Sequence, residues 1–137
     1  MTAQRTVPAE ASQLAVLNQF LREFQAAARL SPVWMHSFEL ALEEIFMNVV
    51  MHGAQPGVAV RVTVSLDLGS DALALTVEDD GPPFDPLSLP PPDLSASLAD
   101  RKVGGLGVYL VRRIMDSVTY ARIGGRNQLR MSKRLDG

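Results

Sequence analysis

Apolar residues recur every three or four positions between residues 10 and 29, and this spacing predicts an amphipathic helix. The positions that form the stripe are Leu14, Leu17, Leu21, Phe24 and Ala28. The segment from Arg5 to Pro8 precedes this helix. We expect it to form an edge strand, because Pro8 would end any ladder that it joined.

A second helix is predicted from Pro32 onwards. Ser31 can accept a hydrogen bond from a free amide at the helix start, and the fixed φ of Pro32 suits the first turn. We expect this helix to end at Gly53. The apolar stripe between them consists of Phe38, Ala41, Leu42, Ile45, Phe46 and Val49.

From Gly57 the apolar period changes to two, which predicts a half-buried strand over residues 58 to 66. Residues 72–77 repeat the alternation after a short turn, so the pair is typical of an antiparallel hairpin. Residues 81 to 94 then contain six of the nine prolines. That density excludes a helix or an inner strand, and we predict a long loop over residues 81–103.

A glycine-rich segment beginning at Gly104 opens the third predicted helix, and two closing strands follow at about 117–123 and 126–134. Gly124 and Gly125 form the hairpin turn between them. This order predicts an α+β two-layer sandwich, in which a mostly antiparallel mixed sheet is covered on one face by about three helices. The other face would either carry polar residues in water or pack against a partner subunit.

Composition narrows the possible functions. The chain has 137 residues, 47% hydrophobic and 20% charged, which is typical of one globular domain over residues 1–137. Its net charge of −2 makes direct nucleic-acid binding unexpected, and the absence of cysteine excludes disulfides and thiolate ligands. The N-terminus lacks a signal-peptide pattern, and no segment approaches the length of a membrane span. We therefore expect a soluble cytoplasmic protein.

The first candidate motif lies on the second predicted helix, where Glu44 and Asn48 are four residues apart. That spacing places both side chains on one face of the helix, and His52 extends the line. A carboxamide oxygen is a neutral ligand for Mg²⁺, while a carboxylate can orient a hydroxyl nucleophile. An ordinary solvated helix face is the alternative interpretation.

The second candidate motif is the end of the second hairpin strand, where an apolar run stops at Asp79, Asp80 and Gly81. Asp79 is in step with Val77 and Leu75, so its carboxylate should point towards the core and must find donors there. The exocyclic amine of adenine is one such donor, with Gly81 allowing the base to approach. A simple turn is the alternative.

The third candidate motif is Gly104-Gly105-Leu106-Gly107, which leads from the loop into a helix. Free backbone amides at a helix start bind phosphate oxygens, and small residues allow close approach. The segment matches neither a Walker A loop nor a dinucleotide fingerprint. A glycine-rich hinge without a ligand is the alternative.

Together and in this order, the three motifs resemble the N, G1 and G2 boxes of the GHKL ATPase superfamily, whose nucleotide-binding domain is called the Bergerat fold. The compact length also resembles one branch, the anti-sigma-factor serine/threonine kinases of the RsbW and SpoIIAB type. The segments that carry this resemblance are EEIFMNVVMHG, VEDDGPPFDP, GGLGVYLVRRIMDSVTY and GRNQLRMSKRL.

The resemblance implies a role for each motif residue. Asn48 would ligate the Mg²⁺ that bridges the ATP phosphates, and Glu44 would act as the base for phosphoryl transfer. Asp79 would hold the adenine amine, and Gly81 would let the base sit close.

The glycine-rich segment and the loop complete the site that the resemblance implies. Gly105, Leu106 and Gly107 would wrap the phosphates, and residues 84–104 would close over the nucleotide as a lid.

Two departures from the family pattern are present. Pro83 occupies the place where the superfamily commonly has a second glycine. A left-handed backbone is impossible there, so we expect the adenine contacts to differ from those of the superfamily. Relatives often place a threonine of the last strand near the adenine. This chain offers Arg130, Met131 and Ser132, none of which can be assigned that contact from the sequence.

The implied function is transfer of the γ-phosphoryl group of ATP to a serine of a STAS-type anti-anti-sigma protein, with sequestration of a sigma factor by partner switching. A homodimer is also a family expectation. Two alternatives stay open: the detached catalytic domain of a histidine kinase, and a catalytically silent ATP-binding module that only sequesters a partner.

Overall fold

The structure, a computed structural model, describes residues 1–53, 57–88 and 105–135. Within these ranges the chain forms five strands and three α-helices. The strands are β1 (Thr2–Pro8), β2 (Arg61–Leu68), β3 (Ala72–Asp79), β4 (Ser117–Ile123) and β5 (Arg126–Arg134). The helices are α1 (Leu14–Ala28), α2 (Pro32–His52) and α3 (Gly105–Ile114).

The five strands form a single sheet in the order β1-β2-β3-β5-β4, and each of its four pairings is antiparallel. β3 is the central strand. At its C-terminal end, Asp79 pairs with Val62 of β2 on one side and with Asn127 of β5 on the other. The predicted two-layer α+β fold is confirmed, with an antiparallel sheet.

The two faces of the sheet differ in chemistry as the alternation requires. Val62, Val64 and Leu66 of β2 are fully buried on the helix side. Thr63 lies on the opposite face, where its hydroxyl is 2.8 Å from that of Thr6 on β1. These polar side chains therefore lie on the face that no helix of the described ranges covers.

The connection between α1 and α2 is short and locally specified. Arg29 ends α1 in the left-handed conformation, with φ of 56°. The side chain of Gln25 donates to the Leu30 carbonyl at 2.6 Å, and Pro32 begins α2 directly after the Ser31 cap. This turn folds the two helices back against each other over the sheet.

The core lies between α1, α2 and the inner face of the sheet. α2 contributes the large side chains Phe38, Leu42 and Phe46, all fully buried. These residues belong to the stripe that the sequence predicts. None of the helices in the described ranges has both the length and the apolar content to cross a membrane.

The first residues of β1 and β2 differ from the predicted ones because each strand begins where its pairing with the other begins. β1 starts at Thr2 rather than at residue 5, because it pairs along the whole of β2. β2 starts at Arg61, and Val58 is 52% exposed although it continues the valine alternation. The predicted loop over residues 81–103 contains a short 3₁₀ turn at Pro86–Ser88, and residues 89–104 lie outside the described ranges.

The cap of α2 gives a testable stability contribution. The backbone N–H of Trp34 donates to the Ser31 hydroxyl at 3.4 Å. Ser31→Ala removes that acceptor and should lower the free energy of unfolding by about 1 kcal/mol. Urea unfolding followed by circular dichroism measures the change, with Ser70→Ala in an exposed turn as the control. Identical midpoints for Ser31→Ala and the wild type would show that the cap contributes nothing.

Candidate functional site

One face of α2 carries Glu44, Asn48 and His52 at intervals of four residues. Side chains at this spacing lie above one another along a helix, about one turn apart. Glu44 is half-buried, Asn48 is buried at 7% exposure, and His52 is exposed. Asn48 lies in the middle of this row, so the contacts of Glu44 and His52 define its surroundings.

The first end of the row contacts the start of α3. A methyl group built on Gly107 would overlap the Glu44 carboxylate, with Cδ of Glu44 only 3.0 Å away. Gly105, Leu106 and Gly107 form the first turn of α3, whose backbone amides have no partners within the helix. A carboxylate and a glycine-rich helix start are therefore in direct contact, and a side chain at residue 107 would separate them.

The environment of Glu44 raises the pKa of its carboxyl group above the usual value for a glutamate. Partial burial is the larger cause, because it disfavours the charged form, and the neighbouring Glu43 carboxylate adds repulsion. A carboxyl group shifted in this direction is a stronger proton acceptor once it is ionised.

The other end of the row contacts the segment that follows β3. The rings of His52 and Phe84 are stacked with centroids 4.6 Å apart. A methyl group built on Gly81 would lie 3.6 Å from the Cα atom of Gly53, the residue after His52. The turn after β3 therefore packs against the C-terminal end of α2.

Asn48 lies between these two contacts, one helical turn from Glu44 and one from His52. Its Nδ2 atom is buried and has no hydrogen-bond partner among the described residues. A buried amide normally has a partner, and a missing one requires an explanation such as a bound group. The unpartnered Nδ2 of Asn48 is therefore available to a hydrogen-bond acceptor on a bound group.

Asp79 is buried at 6% exposure, on the same side of the sheet as Val77 and Leu75. Its Oδ1 atom accepts from the Gly81 N–H at 2.9 Å and from Asn127 Nδ2 at 3.0 Å. A methyl group on Gly81 would lie 3.0 Å from the same oxygen, so a side chain there would press on the carboxylate. The inward direction expected from the strand alternation is observed.

A small cavity of about 20 Å³ opens beside Asp79. It is lined by Ile45, Val49, Val77, Asp79, Phe84, Pro86, Tyr120, Asn127 and Leu129. The walls are largely apolar, with one carboxylate and one carboxamide, as expected for a flat heteroaromatic base. A volume of this size is smaller than a purine. α2 thus faces this cavity through Ile45 and Val49 and faces Gly107 through Glu44.

Asn127 is a site residue that the sequence interpretation missed. It is buried at 5% exposure and pairs with Asp79 across β3 and β5. Of the last-strand positions considered from the sequence, Met131 belongs to the core, Arg130 is exposed, and Ser132 pairs with Ala74 far from Asp79. Counting residues from the Gly124–Gly125 hairpin turn would have placed Asn127 at this end of the sheet.

The turn after β3 accepts hydrogen bonds from strands β2 and β4. Asp80 accepts from the Arg61 N–H at 2.8 Å, and the Gly81 carbonyl accepts from the Arg122 guanidinium at 2.8 Å. Among the non-glycine residues of the described ranges, only Arg29 has a positive φ. Pro83 therefore fits this turn without backbone strain, although the superfamily commonly has glycine there.

The residues fit ATP with Mg²⁺ better than a metal held by protein ligands alone. The described residues contain no group of three His, Cys, Asp or Glu side chains that could bind a metal. Mg²⁺ commonly takes one or two protein oxygens and completes its shell with phosphate oxygens and water. The Asn48 carboxamide oxygen is the predicted protein ligand of the metal, whereas its buried Nδ2, which is a hydrogen-bond donor, has no acceptor in the described part of the chain and can donate to a phosphate oxygen.

Comparison with known families identifies the class of protein. The histidine kinase-like ATPase domain family matches residues 7–133, and the chain belongs to this family. The predicted relationship to the GHKL superfamily is confirmed, and membership implies that the chain binds ATP. The part of the chain outside the match is short at both ends.

Individual relatives are bacterial protein kinases. The chain is 31% identical over 93 residues to the serine/threonine-protein kinase BtrW of Bordetella bronchiseptica, covering 68% of this chain and 66% of that protein. It is 32% identical over 123 residues to the serine-protein kinase RsbW of Halalkalibacterium halodurans, covering 85% and 74%. RsbW of Bacillus mycoides is 27% identical over 118 residues, covering 82% and 72%.

Proposed function

We propose that this protein is an ATP-dependent serine kinase and an anti-sigma factor. The observation that carries the proposal is the contact between the Glu44 carboxylate and the backbone of Gly107. This contact puts a proton acceptor with a raised pKa beside a helix start suited to phosphate groups. The relatives named serine-protein kinases support the same activity.

The proposed nucleotide site uses the residues predicted from the sequence. Asp79 accepts a hydrogen bond from the exocyclic amine of adenine, and Gly81 leaves room for the base. The amides of residues 105–107 bind phosphate oxygens. Residues 84–104 would act as the lid, of which 84–88 are described and the rest are not.

In the proposed reaction, Glu44 accepts the proton of the substrate serine hydroxyl. The serine oxygen bonds to the γ-phosphorus as the bond to the β,γ-bridging oxygen breaks, which leaves ADP and phosphoserine. Asn48 would hold Mg²⁺, whose charge offsets the negative charge of the phosphates when it is bound. Most of the acceleration is expected from positioning and charge stabilisation.

The proposed partners are a STAS-type anti-anti-sigma protein, which supplies the serine, and a sigma factor, which is sequestered. Homodimerisation is part of the proposal, and the uncovered sheet face is one surface that can serve it. A net charge of −2 offers no long-range attraction to nucleic acid. We also propose that the protein is cytoplasmic and that it contacts neither nucleic acid nor a membrane directly.

Incubation with γ-labelled ATP, Mg²⁺ and a purified STAS partner tests the activity. We expect acid-stable phosphoserine on the partner, and we expect EDTA to abolish the signal because the phosphate charge is then not offset. Asn48→Ala should lose the Mg²⁺-dependent part of ATP binding. Acid-labile phosphohistidine would instead identify a detached histidine-kinase domain.

The silent-module alternative predicts ATP binding and partner binding without transfer. The raised pKa of Glu44 and its contact with α3 favour the active kinase. ATP binding together with an unlabelled partner, under conditions in which the partner is bound, would support the silent module.

A further inference from the structure

Asn127 uses every hydrogen-bonding group of its side chain. Its Nδ2 atom donates to Asp79 Oδ1 at 3.0 Å and to the Pro82 carbonyl at 2.9 Å. Its Oδ1 atom accepts from the Phe84 N–H at 3.2 Å and from the Tyr120 hydroxyl at 2.5 Å. A buried amide with all of its partners in place is fixed in orientation.

The orientation of this amide follows from its neighbours. The Phe84 backbone N–H can only donate and the Pro82 carbonyl can only accept. The oxygen of Asn127 must therefore face Phe84, and the nitrogen must face Pro82. The donor that reaches Asp79 is fixed by the same two backbone groups.

The turn needs such a side chain because of its own sequence. Pro82 and Pro83 have no backbone N–H, so this stretch lacks the donors with which a turn normally pairs its carbonyls. Asn127 supplies the missing donor to Pro82 and an acceptor to Phe84 from the neighbouring strand. A side chain of β5 thus replaces contacts that the proline-containing turn cannot make for itself.

The same side chain determines how Asp79 is presented. Both donors to this carboxylate, the Gly81 N–H and Asn127 Nδ2, converge on Oδ1. No group of the described residues donates to Oδ2. One oxygen is therefore fixed by the protein, and the other is left to accept a hydrogen bond from a ligand.

We infer that Asn127 is a positioning residue for base recognition, which holds Asp79 and the Pro82–Phe84 segment in a single arrangement. This inference rests on the proposed ATP-binding function. Asn127 acts through Asp79 rather than through the base, and it compensates for the two prolines of the turn. The discrimination for the exocyclic amine of adenine therefore depends on a residue of the last strand.

The experiment compares the dissociation constants of ATP and of purine riboside triphosphate, which lacks the exocyclic amine. The wild type should prefer ATP by about 10-fold to 100-fold, the range expected for one hydrogen bond to a charged acceptor. Asn127→Val should lower that preference towards unity, because Asp79 loses one of its two donors and is no longer held in position.

Asn127→Thr is the matched control, since threonine has the shape of valine with a hydroxyl in place of one methyl group. That hydroxyl can donate to Asp79 but cannot also hold Pro82 and Phe84. Asn127→Thr should keep most of the preference for ATP, while both nucleotides bind several-fold more weakly because the turn is released. Circular dichroism confirms that each variant is folded.

The outcomes separate this inference from the proposed function. An unchanged preference in Asn127→Val overturns the positioning role. If Asn127→Val does not fold, unchanged affinities for both nucleotides in Asn127→Thr overturn it instead. A wild-type protein that binds neither nucleotide overturns the proposed function itself.

Discussion

Glu44→Gln should lower the rate of phosphoryl transfer by about 10²-fold to 10⁴-fold, the usual contribution of a general base. Glutamine keeps the size of the side chain and its packing against Gly107 but cannot accept the proton of the serine hydroxyl. ATP affinity should stay near that of the wild type, because the carboxylate is not a predicted ligand of the nucleotide. Single-turnover transfer and nucleotide binding, measured on the same preparation, separate the two effects.

The pH dependence of phosphoryl transfer is a second test of Glu44 as the base. The base functions only when it is ionised, so wild-type transfer should rise as pH increases through the raised pKa of Glu44 and then level off. Glu43→Gln is the matched control, since it removes the neighbouring charge and should move this rise to lower pH. A wild-type profile without the rise, or native transfer by Glu44→Gln, would show that Glu44 is not the base.

The raised pKa of Glu44 also determines how its ionisation changes the stability of the fold with pH. The folded protein holds the Glu44 proton more tightly than the unfolded chain does, so stability falls as pH rises from the unfolded pKa through the raised folded value. Above that window the ionised carboxylate is a net cost to folding. Glu44→Gln should therefore be at least as stable as the wild type at neutral pH, so that lost activity is not a result of unfolding.

Gly107→Ala should lower phosphoryl transfer about 100-fold, a loss typical of misplacing a catalytic group by about 1 Å. The added methyl group would occupy the position of the Glu44 carboxylate. Either α3 moves away from α2 or Glu44 turns away from its present position. In both cases the base and the phosphate-binding amides lose their alignment, and transfer assays at saturating ATP measure the loss.

Gly69→Ala is the control for this substitution. A methyl group at Gly69 would come no closer than 3.7 Å to the Ala72 carbonyl, which is ordinary contact. Its activity should equal that of the wild type. Native transfer by Gly107→Ala would show that the contact between the two helices does not control the chemistry.

The parts of the site that depend on local geometry were predictable from the sequence. The shared face of Glu44, Asn48 and His52 follows from helical spacing, and the inward direction of Asp79 follows from strand alternation. Neither requires knowledge of which elements become neighbours. The functional roles of these residues stay predictions until the experiments above are done.

The features that the sequence did not reveal depend on pairing between distant segments. Asn127 lies next to Asp79 only because β3 and β5 pair in one register, across 48 positions of the chain. The valine alternation already begins at Val58. Regular pairing with β1 starts only at Arg61, and β2 therefore begins there. The alternation of apolar residues indicates which face of the sheet a residue lies on. It does not indicate over how many residues the neighbouring strand pairs.

α2 serves two purposes at once, since one side fills the core with Phe38, Leu42 and Phe46 and the adjacent face carries Glu44 and Asn48. Core packing and the proposed catalytic residues thus share one helix. Selections for conditional loss of function in cells should accordingly yield heat-sensitive alleles on the apolar side of this helix, far from any nucleotide contact. Such alleles would abolish the proposed kinase activity at the temperature at which the helix unfolds.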